Sequence, residues 1–245
     1  MALDLQPGDE VIVPAFTYVA TAEAIALLKL IPVMVDVAPD SFNIDVQQIE
    51  KAITPKTKAI VPVHLYGQSA DMEPIMQLAD KYGLYVVEDN AQALGAETIF
   101  TGGTVKKTGT IGHIGCNSFF PTKNLGTFGD GGALTTNDEK MAERCRMIST
   151  HGQKQKYYHE TIGCNSRLDT IHAAVLNVKL NYLDNYIAAR QKAAEYYYNN
   201  LQKLEWIRLP VKASYANHSY NQFTLIVNDG KRDGLREHLK QNGIP

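Results

Sequence analysis

Lys123 is the residue of this sequence whose surroundings most clearly suggest chemistry. It lies in the run Ser118-Phe119-Phe120-Pro121-Thr122-Lys123-Asn124, and an acidic pair, Glu88-Asp89, follows an apolar segment that ends at Val87. A lysine among small and aromatic residues can bind a carbonyl group. Pyridoxal phosphate chemistry needs such an amine for a Schiff base and a carboxylate for the pyridine nitrogen. The lysine and the acid together therefore predict a site for that cofactor.

Each of these residues also has an ordinary explanation. A lysine taken alone is usually a solvated surface residue, because burying an ammonium group is costly. An aspartate that follows a strand often serves as a helix N-cap, which is the alternative for Asp89. The glycine-rich turn Gly129-Asp130-Gly131-Gly132 lacks the spacing of nucleotide-binding loops, so we expect only a tight turn there.

The composition argues against several classes of protein. A net charge of −2 over 245 residues gives no electrostatic reason to expect nucleic acid or an anionic membrane as a partner. The three cysteines form no C-x-x-C pair and the seven histidines show no metal-ligand spacing, so we expect neither a disulfide framework nor a metal site. We find no signal peptide and no apolar run that could span a bilayer. These patterns predict a soluble cytoplasmic protein.

The elements that must position Glu88 and Asp89 alternate along the first 90 residues. We predict strands at 11–13, 33–35, 59–63 and 85–87, and helices at 20–30, 45–53 and 72–82. Short apolar strands between amphipathic helices predict an α/β fold with a mostly parallel sheet and helices on both faces. Ligands of such sheets collect beyond the carboxyl ends of the strands, where Glu88, Asp89 and Gln92 follow the last predicted strand.

The second half of the chain is more varied. The patterns predict strands at 111–120 and 133–136, a helix at 138–149, a polar aromatic loop at 151–163, mostly helix at 167–204, a strand at 222–227 and a helix at 232–241. We predict a large cofactor domain over 1–185, and a connecting helix with the start of a smaller C-terminal α+β domain over 186–245. The chain begins at the turn into a core strand and ends directly after a helix, which predicts a fragment truncated at both ends.

Six segments carry a resemblance to a known family. In order they read PGDEVIVP at 7–14, FTYVATA at 16–22, HLYG at 64–67, EDNAQALG at 88–95, 118–134 around the lysine, and GCNSRLD at 163–169. Together they resemble the DegT/DnrJ/EryC1/StrS family of sugar aminotransferases, which have the aspartate-aminotransferase-like fold (fold type I). Family members carry a Gly-Thr segment that grips the cofactor phosphate before the region where this chain begins.

The resemblance implies roles for five residues around pyridoxal 5′-phosphate. Lys123 would hold the cofactor and, once freed, move a proton between the substrate α-carbon and the cofactor. Asp89 would keep the pyridine nitrogen protonated. Gln92 would hydrogen-bond the 3-oxygen, although it could equally be a solvated polar residue. Tyr18 would stack on the ring, with a core aromatic as its alternative. Ser118 would bind the phosphate.

Three further residues follow from the resemblance with less support from the sequence. Asn165 would reach the phosphate of a neighbouring subunit, which implies a homodimer with shared active sites; its alternative is a turn residue after Gly163. Arg167 would contact the phosphate or a substrate carboxylate, or serve a structural ion pair. His159 would touch the sugar nucleotide, or lie in a solvated loop.

The resemblance implies a transaminase that moves an amino group, with glutamate as the expected donor, to a nucleotide-linked keto-sugar. The run at 165–170 is more similar to members that aminate the 3-position than to those that aminate the 4-position, and the pathway would supply aminosugars for surface polysaccharides. One alternative is a sugar dehydratase of the same fold, but those relatives commonly replace the lysine by histidine. The other alternative is a non-catalytic binding or regulatory protein.

Overall fold

The computed structural model describes residues 1–244. The strands are β1 (Glu10–Pro14), β2 (Ile31–Val35), β3 (Thr57–Ile60), β4 (Tyr85–Asp89), β5 (Glu97–Ile99), β6 (Val105–Lys107), β7 (Ile114–Ser118), β8 (Gly132–Thr135), β9 (Gln153–Gln155), β10 (Tyr158–His159), β11 (Ile207–Arg208), β12 (Ala216–Asn217) and β13 (Ile226–Val227). The helices are α1 (Ala20–Leu27), α2 (Val46–Ala52), α3 (Met72–Tyr82), α4 (Glu139–Ser149), α5 (Thr170–Leu180), α6 (Leu183–Leu201) and α7 (Arg232–Gln241).

Six strands form the central sheet in the order β2-β1-β3-β4-β7-β8. All neighbours are parallel except the antiparallel pair β7 and β8. The register of β4 against β7 sets Asp89 opposite Cys116, so the carboxyl ends of these two strands lie side by side. This arrangement confirms the predicted α/β class and brings the acidic pair next to the start of the lysine loop.

Helices cover both faces of the sheet. Successive residues of a strand face opposite sides, and side chains on both sides are buried. On one face Val11 and Val13 pack with Ile25 of α1. On the other face Ile12 and its neighbours in β3 and β4 pack against α2 and α3, which bury Ile49 and Ile75 fully. Glu88 therefore faces the side of the sheet that α2 and α3 cover, and Asp89 faces the side that α1 covers.

Several predicted boundaries differ from the structure. Helix α1 ends at Leu27 because Lys29 adopts a left-handed conformation with φ of 59°. The predicted strand at 111–120 is shortened to β7, and the predicted helix at 167–204 is two helices separated near Tyr182. The aromatic loop at 151–163 contains the antiparallel hairpin of β9 and β10. The predicted strand at 222–227 is reduced to the two residues of β13, which pair with β11.

Strand β12 joins the last part of the chain to the first. It pairs antiparallel with β5, which in turn pairs with β6, and the sequence predicted none of these three short polar strands. Helix α6 begins at Leu183, so the predicted domain boundary after residue 185 falls inside its first turn; that boundary stays a prediction. Within the described residues, every helix is too short or too polar to cross a bilayer.

Candidate active site

Asp89 ends β4, and both its backbone and its carboxylate are fixed. Its N–H donates to the carbonyl of Pro62 at 2.9 Å, and its carbonyl accepts from the N–H of His64 at 3.0 Å. The carboxylate accepts from the hydroxyl of Thr21 at 2.7 Å and from the N–H of Ala91 at 3.1 Å. A carboxylate has room for about four donors, so this one can accept a further hydrogen bond from a ligand.

Glu88 lies on the opposite side of β4 and is fully buried. One oxygen accepts from the N–H groups of Ile111 and Gly112 at 2.7 and 2.6 Å. The other accepts from the N–H of Gly109 at 2.7 Å and lies 2.9 Å from Nε2 of His64. Burial raises the pKa of Glu88, but the imidazole and the backbone N–H groups outweigh it, so the pKa lies below its usual range.

The ring of His64 is held from both sides. Its Nδ1 accepts from the N–H of Ala70 at 3.0 Å, so its proton is on Nε2, which donates to Glu88. His64 is itself fully buried, and its backbone N–H binds Asp89. The Glu88–His64 pair therefore fixes the strand end that carries Asp89, together with the turn at residues 109–112.

Lys123 lies in a closed loop that starts at the end of β7. The N–H of Lys123 donates to the carbonyl of Phe120 at 2.9 Å, and the N–H of Thr127 donates to the carbonyl of Phe119 at 2.8 Å. The lysine is half-buried. Burial lowers its pKa, and the negative charge of Asp89 partly opposes that shift. The pairing of β7 with β4 makes the loop of Lys123 a neighbour of the strand end of Asp89, 34 residues away in the chain.

Helix α5 and the segment after β4 support the same loop. Lys179 of α5 donates to the carbonyl of Gly126, and the hydroxyl of Thr127 donates to a carbonyl of α5 at 3.4 Å. On the other side, the amide of Asn124 donates to the carbonyl of Leu94 at 3.3 Å. These contacts hold both ends of the segment that follows Lys123.

Gln92 has a defined amide orientation. Its Oε1 accepts from the backbone N–H of Tyr66 at 2.6 Å, so the NH₂ group points away from Tyr66 and can donate to another acceptor. Tyr66 adopts a left-handed conformation with φ of 59°, in the short turn Leu65–Gly67. Non-glycine residues with positive φ are uncommon and are often found at functional sites.

Tyr18 and Ser118 lie at the ends of the elements that carry the site. Tyr18 precedes α1, its side chain is 74% exposed, and its carbonyl accepts from the N–H of Thr21 at 3.3 Å. Ser118 ends β7, and its hydroxyl accepts from the N–H of Phe120 at 3.3 Å. Both side chains are at least partly accessible on the carboxyl-terminal side of the sheet, where the predicted cofactor would bind.

Asn165, Arg167 and His159 are all exposed. Asn165 forms an isolated antiparallel bridge with Thr150. Arg167 lines an open cleft beside β8 and α4. The ring of His159 contacts the carbonyl of His151 at 2.8 Å within the hairpin of β9 and β10. Their roles in cofactor or substrate binding stay predictions.

Two parts of the site were not predicted from the sequence. The sequence around Thr21 gives no sign of its contact with Asp89, because a threonine in the first turn of a helix is ordinary. We predict Glu88 beside Asp89 and Gln92 at the ligand-binding end of the sheet, but its side chain is fully buried among backbone N–H donors. The strand alternation already implied that the two acids face opposite sides, and an acid at an inward position of a buried strand could have indicated a structural network.

A family model and many relatives match this chain. The model of the DegT/DnrJ/EryC1/StrS aminotransferase family matches residues 1–245. A "pleiotropic regulatory protein" of Geobacillus stearothermophilus is 48% identical over 99% of this chain and 64% of its own length. The "UDP-2-acetamido-2-deoxy-3-oxo-D-glucuronate aminotransferase" of Pseudomonas aeruginosa is 46% identical over 100% of this chain and 66% of its own length.

Solved structures agree with the fold. The S. venezuelae protein DesV, solved in complex with a ketimine intermediate, superposes with a TM-score of 0.93 at 45% identity, over 100% of this chain and 64% of its own. The Bacillus subtilis protein NtdA, solved with the bound cofactor PMP, superposes with a TM-score of 0.87 at 36% identity, over 98% of this chain and 54% of its own. The chain thus spans slightly less than two thirds of the length of the two curated relatives above.

Proposed function

We propose that this chain, which belongs to the DegT/DnrJ/EryC1/StrS aminotransferase family, acts in a pyridoxal phosphate-dependent aminotransferase. The acceptor of the amino group is a nucleotide-linked keto-sugar. The observation that carries the proposal is that β7, which leads into the loop of Lys123, pairs with β4, which ends at Asp89. A half-buried amine feels the charge of a carboxylate that is fixed at a strand end and still has acceptor capacity.

The residues present fit the cofactor. Lys123 would hold it covalently, and the free acceptor capacity of Asp89 suits a protonated ring nitrogen. The outward NH₂ group of Gln92 suits a phenolate oxygen. Tyr18 offers an exposed aromatic face for stacking, and Ser118 offers a hydroxyl for the phosphate. When bound, pyridoxal phosphate supplies a ring that accepts electrons from the carbon bearing the amine.

Lys123 is suited to proton transfer as well as to covalent binding. Because burial lowers its pKa, a larger fraction of the amine is neutral near pH 7 than in a solvated lysine. A neutral Nζ can attack a carbonyl and can take the proton from the substrate α-carbon. The loop contacts of Phe120, Asn124 and Thr127 keep the lysine backbone in place during this transfer.

The relatives support the substrate class. The P. aeruginosa relative is named for a 3-oxo UDP-sugar acid, and a Streptomyces venezuelae relative is named a transaminase of a dTDP-3-amino sugar. We therefore propose amination at the 3-position of a nucleotide-linked sugar in aminosugar or surface polysaccharide biosynthesis, with glutamate as donor. We also propose a cytoplasmic homodimer in which Asn165 of the partner subunit completes the phosphate site.

A regulatory role is the second candidate, because the relative at 48% identity is named a regulatory protein. The two roles make different demands on the site. A binding protein has no need for a reactive amine opposite a fixed carboxylate, whereas an aminotransferase requires both. A dehydratase of the same fold has less support, since Lys123 occupies the position at which such relatives commonly carry histidine.

Borohydride trapping tests the proposal. The protein is incubated with pyridoxal phosphate, reduced, digested and analysed by mass spectrometry. We expect the phosphopyridoxyl adduct on the Lys123 peptide, its loss in Lys123→Ala, and its retention in Lys140→Ala, which removes an exposed lysine of α4. An adduct that persists in Lys123→Ala would contradict the assignment.

Product analysis then tests the reaction. A 3-keto nucleotide sugar and glutamate are supplied, and we expect an aminated sugar in equal amount to 2-oxoglutarate. Release of 2-oxoglutarate without an aminated sugar would contradict transamination of that sugar. A trapped adduct with no turnover of any donor would favour the regulatory role.

A further inference from the structure

Thr21 connects two residues of the candidate site that are far apart in sequence. It lies in the first turn of α1 and is only 7% exposed. Its hydroxyl donates to Oδ2 of Asp89 at 2.7 Å, and its backbone N–H donates to the carbonyl of Tyr18 at 3.3 Å. A buried threonine hydroxyl that donates to a carboxylate forms a charge-assisted hydrogen bond, which is stronger than one between neutral groups.

The hydroxyl of Thr21 sets the orientation of the Asp89 carboxylate. Oδ1 accepts from the N–H of Ala91 at 3.1 Å and Oδ2 accepts from Thr21, so each oxygen has one fixed donor and the group cannot rotate freely. The hydroxyl oxygen of Thr17 lies 3.5 Å from that of Thr21. Since Thr21 donates its proton to the carboxylate, it can only accept from Thr17.

Free rotation of the Asp89 carboxylate would misdirect its remaining acceptor capacity. If Oδ2 lost the Thr21 hydroxyl, the carboxylate could turn about Cβ–Cγ and would be held only by the N–H of Ala91. The acceptor that suits a protonated ring nitrogen would then have no fixed direction.

We infer that Thr21 is a positioning residue for the cofactor: it orients the Asp89 carboxylate towards the ring nitrogen and holds the Tyr18 turn beside it. This inference rests on the proposed function and adds to it the residue that orients the acid. Thr21 acts through Asp89.

The test compares Thr21→Val, which removes the hydroxyl at constant shape, with Thr21→Ser, which keeps it. The dissociation constant for pyridoxal phosphate is measured by absorbance titration of the whole chain, and the ¹⁵N chemical shift of the bound ring nitrogen reports its hydrogen bonding. Because one such bond contributes about tenfold in binding, we expect about tenfold weaker binding and a shifted ¹⁵N signal for Thr21→Val. We expect binding within about twofold of the wild type for Thr21→Ser.

Thr98→Val is the matched control. Thr98 is also buried, and its hydroxyl forms a hydrogen bond with that of Ser69 at 2.6 Å rather than with Asp89. We expect this variant to bind the cofactor as the wild type does. The comparison therefore distinguishes a loss of Asp89 orientation from a general loss of packing. A second measurement uses the Asp89→Ala background, in which Thr21→Val should cause no further loss because the side chain that accepts from Thr21 is gone.

The outcomes distinguish this inference from the proposed function. If the wild type gives no adduct on Lys123, the proposed function fails whatever Thr21 does. If the wild type forms the adduct and Thr21→Val binds equally well with an unchanged ¹⁵N shift, only the role of Thr21 is refuted. An equal loss in Thr21→Ser, Thr21→Val and Thr98→Val would also refute it, since packing alone would then explain the effect.

Discussion

Replacing Glu88 by glutamine should destabilise the fold severely, although the two side chains have nearly the same shape. Each oxygen of the buried carboxylate faces two N–H donors: Ile111 and Gly112 on one side, Gly109 and His64 on the other. A glutamine must place its NH₂ group on one of these sides, where it can accept nothing. Two buried donors then lose their partner and face a third donor.

The magnitude follows from the number of donors that are lost. Each buried polar group left without a partner costs about 1–3 kcal/mol, so two such groups reduce the free energy of unfolding by about 4 kcal/mol. That is a large part of the 5–15 kcal/mol that is typical of a globular protein. We expect the urea midpoint to fall accordingly, with little change in the slope of the transition.

The assay is urea unfolding at pH 7, followed by circular dichroism, with Glu50→Gln as control. Glu50 also pairs with a cation, Lys81 at 2.8 Å, but it is exposed to solvent. We expect no measurable change in the control, because water replaces the lost contact. If Glu88→Gln were as stable as Glu50→Gln, the donor arrangement around Glu88 would not have the energetic role described.

The pH dependence of the same pair gives an independent check. Because the pKa of Glu88 is lowered on folding, its charged form contributes stability that is complete above the unfolded pKa of about 4.3 and is lost as pH falls through the folded pKa. The wild type should therefore lose stability steeply below about pH 4. The glutamine variant has no charge to lose at this position and should show a shallower slope; equal slopes would contradict the pKa shift.

Two further predictions concern other buried groups. Burial lowers the pKa of His218 to about 4. The unfolded state therefore binds more protons between about pH 6.5 and 4, and the free energy of unfolding falls as pH decreases through that window. An NMR titration of the His218 ring with a midpoint near 6.5 would refute this. Burial also raises the pKa of Cys116 to about 12, so iodoacetamide at pH 8 should label the exposed Cys164 and leave Cys116 unmodified by mass spectrometry. Equal labelling of the two thiols would contradict the prediction.

The alternating part of the fold was predictable because its signals are local. Helix α3 occupies the predicted residues 72–82, and α2 lies within the predicted 45–53 with Asp45 as its N-cap. In these segments the apolar period, the capping residue and the burial all indicate the same element. Asp89 and Gln92 were predicted at a ligand site because parallel strands bring their carboxyl ends to one edge. Lys123 was predicted in the same site from the need for an amine and a carboxylate and from the family resemblance.

The remaining elements depend on contacts that no local pattern reveals. Strand β5 has the sequence Glu97-Thr98-Ile99 and is formed by pairing with β6 and with β12, which lies 117 or more residues further along the chain. The hairpin of β9 and β10 is polar and exposed, so its sequence reads as a loop. The role of Thr21 likewise requires α1 to dock beside the end of β4, 68 residues away in sequence.

The two neighbouring acids of β4 have a consequence for how this segment can change in evolution. Because consecutive side chains of a strand face opposite ways, a shift of one residue would place Asp89 among the four buried N–H donors and turn Glu88 to the face that Asp89 now occupies. Insertions or deletions of one residue in β4 should therefore be lethal to both the fold and the site. The exposed turn Thr101–Thr104, in contrast, contains two glycines with positive φ and open space around them, and should tolerate length variation among homologues.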